Sequence, residues 1–155
     1  MMEDDLRGMS SGEMLVTAIH SLSRRIMLLY SAAVQRETGL SWQDWRILRA
    51  VVRLQSCRAR DICAEVGIKK PHVSNGLARL ERHGHIRREG DRGDGRSKIV
   101  RSTESGQELV AHATPRLQAL ERQLATPPLG SGGDPQHLLD SLRAYQQELD
   151  RLLTK

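Results

Sequence analysis

The chain has 155 residues, a net charge of +5 and an apolar content of 38%. This length is sufficient for one domain with a buried core, and the periodic leucines argue against a disordered composition. No apolar run approaches the roughly 20 residues of a membrane span, and the acidic start, MMEDDLRGMS, lacks the pattern of a signal peptide. Two cysteines do not form a secreted disulfide framework. These features predict a cytoplasmic protein with no membrane segment.

The positive charge is concentrated in one part of the chain. Residues 58–101 contain 12 Lys/Arg and 6 Asp/Glu, so this window carries +6 while the rest of the chain sums to −1. A localised basic block on a neutral body is typical of proteins that bind nucleic acids. A basic surface without a ligand is the alternative interpretation.

Two helices are predicted in the first third of the chain. Ser10 and Glu13 have capping-box spacing, and Gly39 is suited to the end of the helix that they begin. Ser41 and Asp44 start a second helix in LSWQDWRILRAVVRL. The first helix carries an apolar stripe formed by Leu15, Ile19, Leu22, Ile26 and Leu29.

The basic block is predicted to contain two short helices and a hairpin. ARDICAEV ends at Gly67, and KKPHVSNGLARLER has Pro71 in its first turn and Gly84 at its end. HIRRE and RSKIVRS then have the character of short strands, and they flank the Gly/Asp-rich stretch DRGDGRSK. We therefore expect a hairpin with an exposed tip.

Two further helices are predicted after the hairpin. Thr103 is placed to cap the first, which contains Pro115 and should be kinked there. The composition of TPPLGSGGDP predicts a linker. Asp134 and Pro135 then begin a final leucine-rich helix.

These elements predict a mostly α fold with a small β-hairpin wing, that is, a winged helix-turn-helix. Apolar residues of the two short helices would fix their crossing and leave the second helix with a polar outer face. A helix of that width fits the major groove of DNA, and the hairpin tip would lie over the adjacent minor groove. The predicted DNA contacts are Arg60, Lys69, Lys70, His72, Ser74, Asn75, Arg79, Arg92, Asp94, Arg96 and Lys98.

Nearly the whole chain resembles the MarR-type transcriptional regulators. The most specific segment is DRGDGRSKIVRSTESG, which is similar to the family's wing signature of Asp-x-Arg-Asp-x-Arg, a strand, and Thr-x-x-Gly. The matching residues are Asp91, Asp94, Arg96, Thr103 and Gly106. Gly93 stands where the signature has its first arginine. The resemblance implies a regulator, in particular a repressor, that reads a pseudo-palindromic operator in double-stranded DNA.

The resemblance also implies a homodimer in which the first, fifth and sixth helices of two chains interleave. It divides the chain into residues 1–40 and 104–155 for dimerisation and residues 41–103 for DNA binding. The apolar terminal helices support this division. The alternative is that they form an ordinary core within one chain. The predicted interface residues are Leu15, Ile19, Leu22, Leu138, Leu142, Tyr145, Leu149 and Leu152.

A small aromatic or phenolic acid is the effector class that the family resemblance suggests. An aromatic wall with a guanidinium would bind such a carboxylate. The predicted pocket residues are His20, Arg24, Arg25, Tyr30, Trp42 and Arg46. The alternative is that the tryptophans are core residues and the arginines are solvated.

Cysteine-based redox sensing is a second interpretation of the regulatory input. Arg58 and Arg60 lie near Cys57 in sequence, as a reactive thiol requires, whereas Cys63 is predicted on the buried side of its helix. We expect an inert pair.

Other functional classes fit the sequence less well. No metal-ligand spacing, phosphate loop or nucleophile motif predicts an enzyme, and no cofactor or metal is expected. An architectural DNA-binding protein would need more charge, and an RNA or single-strand binder would need more than 3% aromatic residues. The basic wing argues against a module that binds only proteins. The operator, the regulated genes, the sense of regulation and the effector cannot be identified from the sequence.

Overall fold

The structure, a computed structural model, describes residues 10–91, 94–124 and 135–154, with the side chains at 91, 94–97 and 135 left out. Its elements are α1 (Ser11–Thr38), α2 (Trp42–Leu54), β1 (Cys57–Arg58), α3 (Ala59–Val66), α4 (Lys70–Arg82), β2 (Ile86–Asp91), β3 (Asp94–Ser102), α5 (Glu104–Leu124) and α6 (Pro135–Leu153). The predicted order of helices and the hairpin is confirmed.

The helix boundaries follow from local capping. The Ser10 side chain accepts a hydrogen bond from the Glu13 backbone, and the Glu13 carboxylate accepts one from the Ser10 N–H at 2.8 Å. This reciprocal pair is the predicted capping box. Gly39 ends α1 with a φ of 70°, a left-handed conformation that favours glycine. Ser41 caps α2 by accepting a hydrogen bond from the Asp44 N–H at 3.1 Å.

The helix-turn-helix is formed by α3 and α4 and packs against α2. Gly67 ends α3 with a φ of 64°, which allows the chain to turn sharply into α4. The core of this region lies on one face of each of these helices. It includes Trp45, Ile47, Leu48, Val51, Ile62, Val66, Val73, Leu77 and Leu80.

The wing is part of a three-stranded antiparallel sheet with the order β1-β3-β2. The hairpin of β2 and β3 was predicted, but β1 was not, so the two-stranded description was incomplete. β1 pairs Cys57 with Val100 and Arg58 with Ile99. Two residues are too few to show the alternation that identifies a strand, and their partners lie more than 40 positions along the chain.

A close backbone contact joins the wing to α5. The Thr103 hydroxyl donates to the Gly84 carbonyl at 2.6 Å and accepts from the Gly106 N–H at 3.2 Å. A Cβ atom on Gly106 would lie 2.1 Å from the His85 carbonyl oxygen, which only glycine avoids. The spacing Thr-x-x-Gly therefore has a physical basis here: the threonine caps α5 while the glycine admits the preceding loop.

The chain divides into two compact units, residues 1–116 and 117–155. In the first, α1 is buried only near its C-terminal end, at Ala33 and Val34. In the second, α6 exposes its leucines. The predicted linker and Asp134 lie outside the described residues, and the kink at Pro115 and the three-part domain division stay predictions.

Candidate nucleic-acid interface

The outward face of α4 is polar and basic. Lys70, His72, Ser74 and Asn75 are exposed, as is Lys69 directly before the helix. Val73, Leu77 and Leu80, on the opposite face, are buried against the neighbouring helices. The apolar spacing of three and four residues therefore fixes which side chains of α4 face outward. Five predicted DNA contacts lie together at the N-terminal end of one helix.

Arg79, another predicted DNA contact, has a protein partner. Its Nε donates to Asp44 Oδ2 at 2.9 Å and its Nη2 donates to Asp44 Oδ1 at 2.7 Å. Asp44 is only 5% exposed, so the pair joins the surface of α4 to the interior of α2. These hydrogen bonds raise the pKa of Arg79 above its ordinary value.

The wing is tied to the end of α4 by a second arginine–carboxylate pair. Arg88 on β2 donates through Nε to Glu81 Oε2 at 2.8 Å. Hydrogen bonding by Arg88 lowers the pKa of Glu81, so this carboxylate stays ionised at neutral pH. The pair of Arg88 and Glu81 therefore connects the wing to α4.

The remaining predicted DNA contacts lie on α3 and the wing. Arg60 is exposed and lies 3.5 Å from the carboxylate of Asp61, while Lys98 is exposed on β3. Asp94 and Arg96 belong to β3, but their side chains, like the whole of Arg92, lie outside the described residues.

The predicted effector residues form two groups. The rings of Tyr30 and Trp42 lie 5.4 Å apart between centroids, and the Arg46 guanidinium carbon is 5.9 Å from the Trp42 centroid. Arg46 also donates a hydrogen bond to the Val66 carbonyl. Arg24 lies six residues before Tyr30 on the same helix, about 9 Å along its axis, and His20 is further still. The described contacts bring Tyr30, Trp42 and Arg46 together, and His20, Arg24 and Arg25 are not among them.

An open pocket of about 430 Å³ lies beside Arg46, where α2 faces α3 and α5. Arg49 and Arg53 of α2 also line it, together with Val110 and Thr114 of α5. Arg53 forms an ion pair with Glu65 of α3, whereas the Arg49 guanidinium carbon lies 5.8 Å from the centroid of the Trp45 ring. Apart from Arg46, this lining is not predicted from the sequence, because it depends on how α2, α3 and α5 are arranged.

The two cysteines differ in burial, and the prediction for Cys63 is wrong. Cys57 is 4% exposed, and burial together with the charge of Asp61 raises the pKa of its thiol to about 11. Cys63 was predicted on the buried side of α3 but is only partly buried. Its helix is only 8 residues long, and Ile62 and Val66 take the buried positions. Cys57 therefore remains a thiol at neutral pH, which disfavours reaction with oxidants.

Neither metal ligation nor membrane insertion is indicated in the part of the chain that the structure describes. Within residues 10–91, 94–124 and 135–154, no three potential metal-ligating side chains cluster. None of the helices in these ranges has both the length and the apolar character to cross a bilayer.

Part of this chain is similar to a known protein family. A model of the MarR family matches residues 38–97, which run from the last residue of α1 into β3. The homoprotocatechuate degradative operon repressor of Escherichia coli is 26% identical over 102 residues, covering 66% of this chain and 69% of the repressor.

Two solved structures share the fold. Sco3205, a MarR family transcriptional regulator from Streptomyces coelicolor solved in complex with DNA, superimposes with a TM-score of 0.78 at 20% identity, covering 95% of this chain and 91% of that one. BpsR of Bordetella bronchiseptica, whose DNA binding is regulated by 6-hydroxynicotinic acid, has a TM-score of 0.64 at 19% identity, covering 84% and 98%. Residues 38–97 of this chain are therefore similar to the MarR family, and its fold is that of these two structures.

Proposed function

We propose that the protein is a transcriptional repressor that binds a specific sequence in double-stranded DNA. The observation that carries this proposal is the exposed face of α4, which presents Lys70, His72, Ser74 and Asn75. The opposite, apolar face of the same helix is buried. A helix presented in this way can enter the major groove, with amide and hydroxyl groups for base edges and lysines for phosphates. The related Escherichia coli repressor supports the sense of regulation. Such a protein would act in the cytoplasm.

Selection of bound fragments from a random-sequence duplex pool tests this function. We expect an enriched pseudo-palindrome whose two half-sites lie about one helical turn, or 10–10.5 base pairs, apart from centre to centre. Two half-sites are expected because the exposed leucines of α1 and α6 support a homodimer. Enrichment of no sequence from the pool would contradict the proposal.

The position of the pocket beside Arg46 changes which residues we expect to bind the effector. An aromatic acid would place its carboxylate near Arg46 and Arg49. Trp42, which pairs with Tyr30, lies 5.9 Å from the Arg46 guanidinium carbon but does not line the pocket. A guanidinium can bind a carboxylate through two parallel hydrogen bonds. Two relatives support this ligand class, since one represses an operon for degradation of homoprotocatechuate and the other responds to 6-hydroxynicotinic acid.

Homoprotocatechuate and 6-hydroxynicotinic acid are the probes for this pocket. We expect one of them to weaken binding to the selected duplex by about 5–150-fold, the usual range of allosteric coupling. Arg49→Ala should lose this response while DNA binding without the acid is unchanged, because Arg49 lines a pocket formed by residues of α2, α3 and α5. Fluorescence anisotropy with a labelled duplex measures both quantities.

Arg24→Ala is the matched comparison for Arg49→Ala. It removes the same guanidinium from a position in α1 that does not line the described pocket. If Arg24→Ala abolishes the response and Arg49→Ala does not, the ligand binds with the residues that the sequence analysis grouped on α1. If neither acid changes the affinity of the wild type, this effector class is wrong for the protein.

A further inference from the structure

Asp44 has a charged side chain that is buried. It lies in the first turn of α2 and is only 5% exposed. Burying a carboxylate is unfavourable unless other groups satisfy it. The positive end of the helix dipole gives some stabilisation in the first turn. The main compensation is the guanidinium of Arg79.

The pair formed by Asp44 and Arg79 has well-defined geometry. Two nearly parallel hydrogen bonds of 2.9 and 2.7 Å connect the fork of the guanidinium to both carboxylate oxygens. Such a bidentate contact fixes orientation as well as distance, because rotating either group breaks one of the bonds. It joins positions 35 residues apart in the sequence. The rotation of α4 about its axis is thereby tied to α2.

Gly76 makes this contact possible by allowing α4 to approach α2 closely. A Cβ atom at this position would lie 2.5 Å from Ile47 Cδ1 and 3.0 Å from Asp44 Oδ1. Ile47 is fully buried, so its side chain has little room to move away. A glycine one turn before Arg79 therefore sets the separation of the two helices at the point where the pair forms.

Arg79 follows Asn75 by one helical turn, so the two lie on neighbouring positions of the same face. Asn75 is exposed, whereas Nε and Nη2 of Arg79 donate hydrogen bonds to Asp44. We propose that Arg79 is a positioning residue, which through Asp44 holds α4 in the rotation and position that let Asn75 and its neighbours read base edges. This inference rests on the DNA-binding function proposed above. The competing assignment is a direct contact between Arg79 and DNA.

The two assignments make opposite predictions for Asp44→Asn. Removing this carboxylate would free Arg79 if it were a DNA contact, so affinity should stay the same or rise. If Arg79 acts through Asp44, the substitution breaks the clamp and affinity for the selected duplex should fall. Arg79→Gln should then cause a similar loss, and the double variant should lose no more than either single variant, as expected for two groups that act as one unit.

The experiment measures dissociation constants of Asp44→Asn, Arg79→Gln and the double variant at several salt concentrations. One duplex is a fragment that the wild type enriches from a random pool, and the other is an unselected duplex of equal length. We expect each variant to lose roughly tenfold or more on the enriched duplex, the loss of about 1.4 kcal/mol of base discrimination. Binding to the unselected duplex and its salt dependence should not change.

A direct contact with phosphate would give a different result. Arg79→Gln would then weaken both duplexes and flatten the slope of log K against log salt by about 0.9 for each half-site. That result, or unchanged affinity in Asp44→Asn, would overturn the positioning role. If the wild-type protein enriches no sequence, the proposed DNA-binding function is wrong. Failure of the positioning role and failure of the DNA-binding function therefore give different results.

Arg116→Gln is the matched control, because it removes a guanidinium as Arg79→Gln does. Arg116 pairs with Glu37 of α1 at 3.1 Å and contacts His112 of α5, so both affinities should stay at the wild-type values. Thermal unfolding and binding to the unselected duplex show whether each variant is folded. If Asp44→Asn is unfolded, Gly76→Ala is measured in its place. We expect Gly76→Ala to lose affinity for the enriched duplex only. Equal losses of affinity for both duplexes would contradict the positioning role.

Discussion

Leu142→Asp and Leu149→Asp are each expected to convert the protein from a dimer into monomers. The two leucines are 44% and 45% exposed in the single chain, on a helix of 19 residues. With Leu138 and Leu152 they form one stripe, because steps of three and four residues return to the same face of a helix. Soluble proteins seldom leave such a stripe in contact with water, so a second chain is expected to cover it.

The expected loss is large because the introduced carboxylate would be buried without a partner. A charge in that position costs several kcal/mol, enough to shift a dimer toward monomers by orders of magnitude at micromolar concentration. Light scattering distinguishes a monomer of 17.4 kDa from a particle of twice that mass. Dimers in both variants would place the interface elsewhere.

Gln147→Asp is the control for the dimer experiment. It introduces the same charge on α6, but five residues after Leu142 and two before Leu149, so it lies on the opposite side of the helix. The control should remain dimeric. A monomeric control would mean that charge anywhere on α6 disrupts assembly, and the stripe would then not be the determinant.

Local signals in the sequence were sufficient for most of the fold. The capping pair of Ser10 and Glu13 and the positive φ angles of Gly39 and Gly67 depend on residues within a few positions, so their chemistry is visible in the sequence. The buried face of α4 follows from the spacing of Val73 and Leu77 in the same way. Such features are predictable because the interacting groups are neighbours along the chain.

Features that depend on distant pairs could not be predicted. Helical periodicity puts Arg79 on the outer side of α4 and predicts a DNA contact, and only the approach of α2 reveals its bond to Asp44. The strand at Cys57 likewise needs Val100 as its partner. The effector residues were grouped by chemical type, but the length of α1 separates Arg24 from Trp42 and brings only Tyr30 near it.

The second large effect is expected from substitution of Asn75. This substitution distinguishes sequence-specific binding from non-specific electrostatic binding to DNA. Asn75 is exposed near the N-terminal end of α4, where an amide can form two hydrogen bonds with adenine in the major groove. Asn75→Ala should therefore cost about 1–3 kcal/mol on the selected duplex. Binding to unselected DNA should change little, because the side chain carries no charge.

Arg96→Ala is the contrasting variant. Arg96 belongs to β3 of the wing, and a wing cation is expected to meet the minor groove or a phosphate, where the sequence is hardly read. The variant should weaken both duplexes by a similar factor. If the contact is with phosphate, the slope of log K against log salt should also flatten by about 0.9 for each half-site.

Titrations of both variants on both duplexes, at salt concentrations between about 50 and 200 mM, separate these roles. A selective loss in Asn75→Ala with an unchanged salt slope would place base reading on α4, and a parallel loss in Arg96→Ala would place charge neutralisation on the wing. Equal losses on both duplexes for Asn75→Ala would instead mean that the amide contacts the backbone. The specificity would then have to come from its neighbours Ser74 and His72, which share the exposed N-terminal half of the helix.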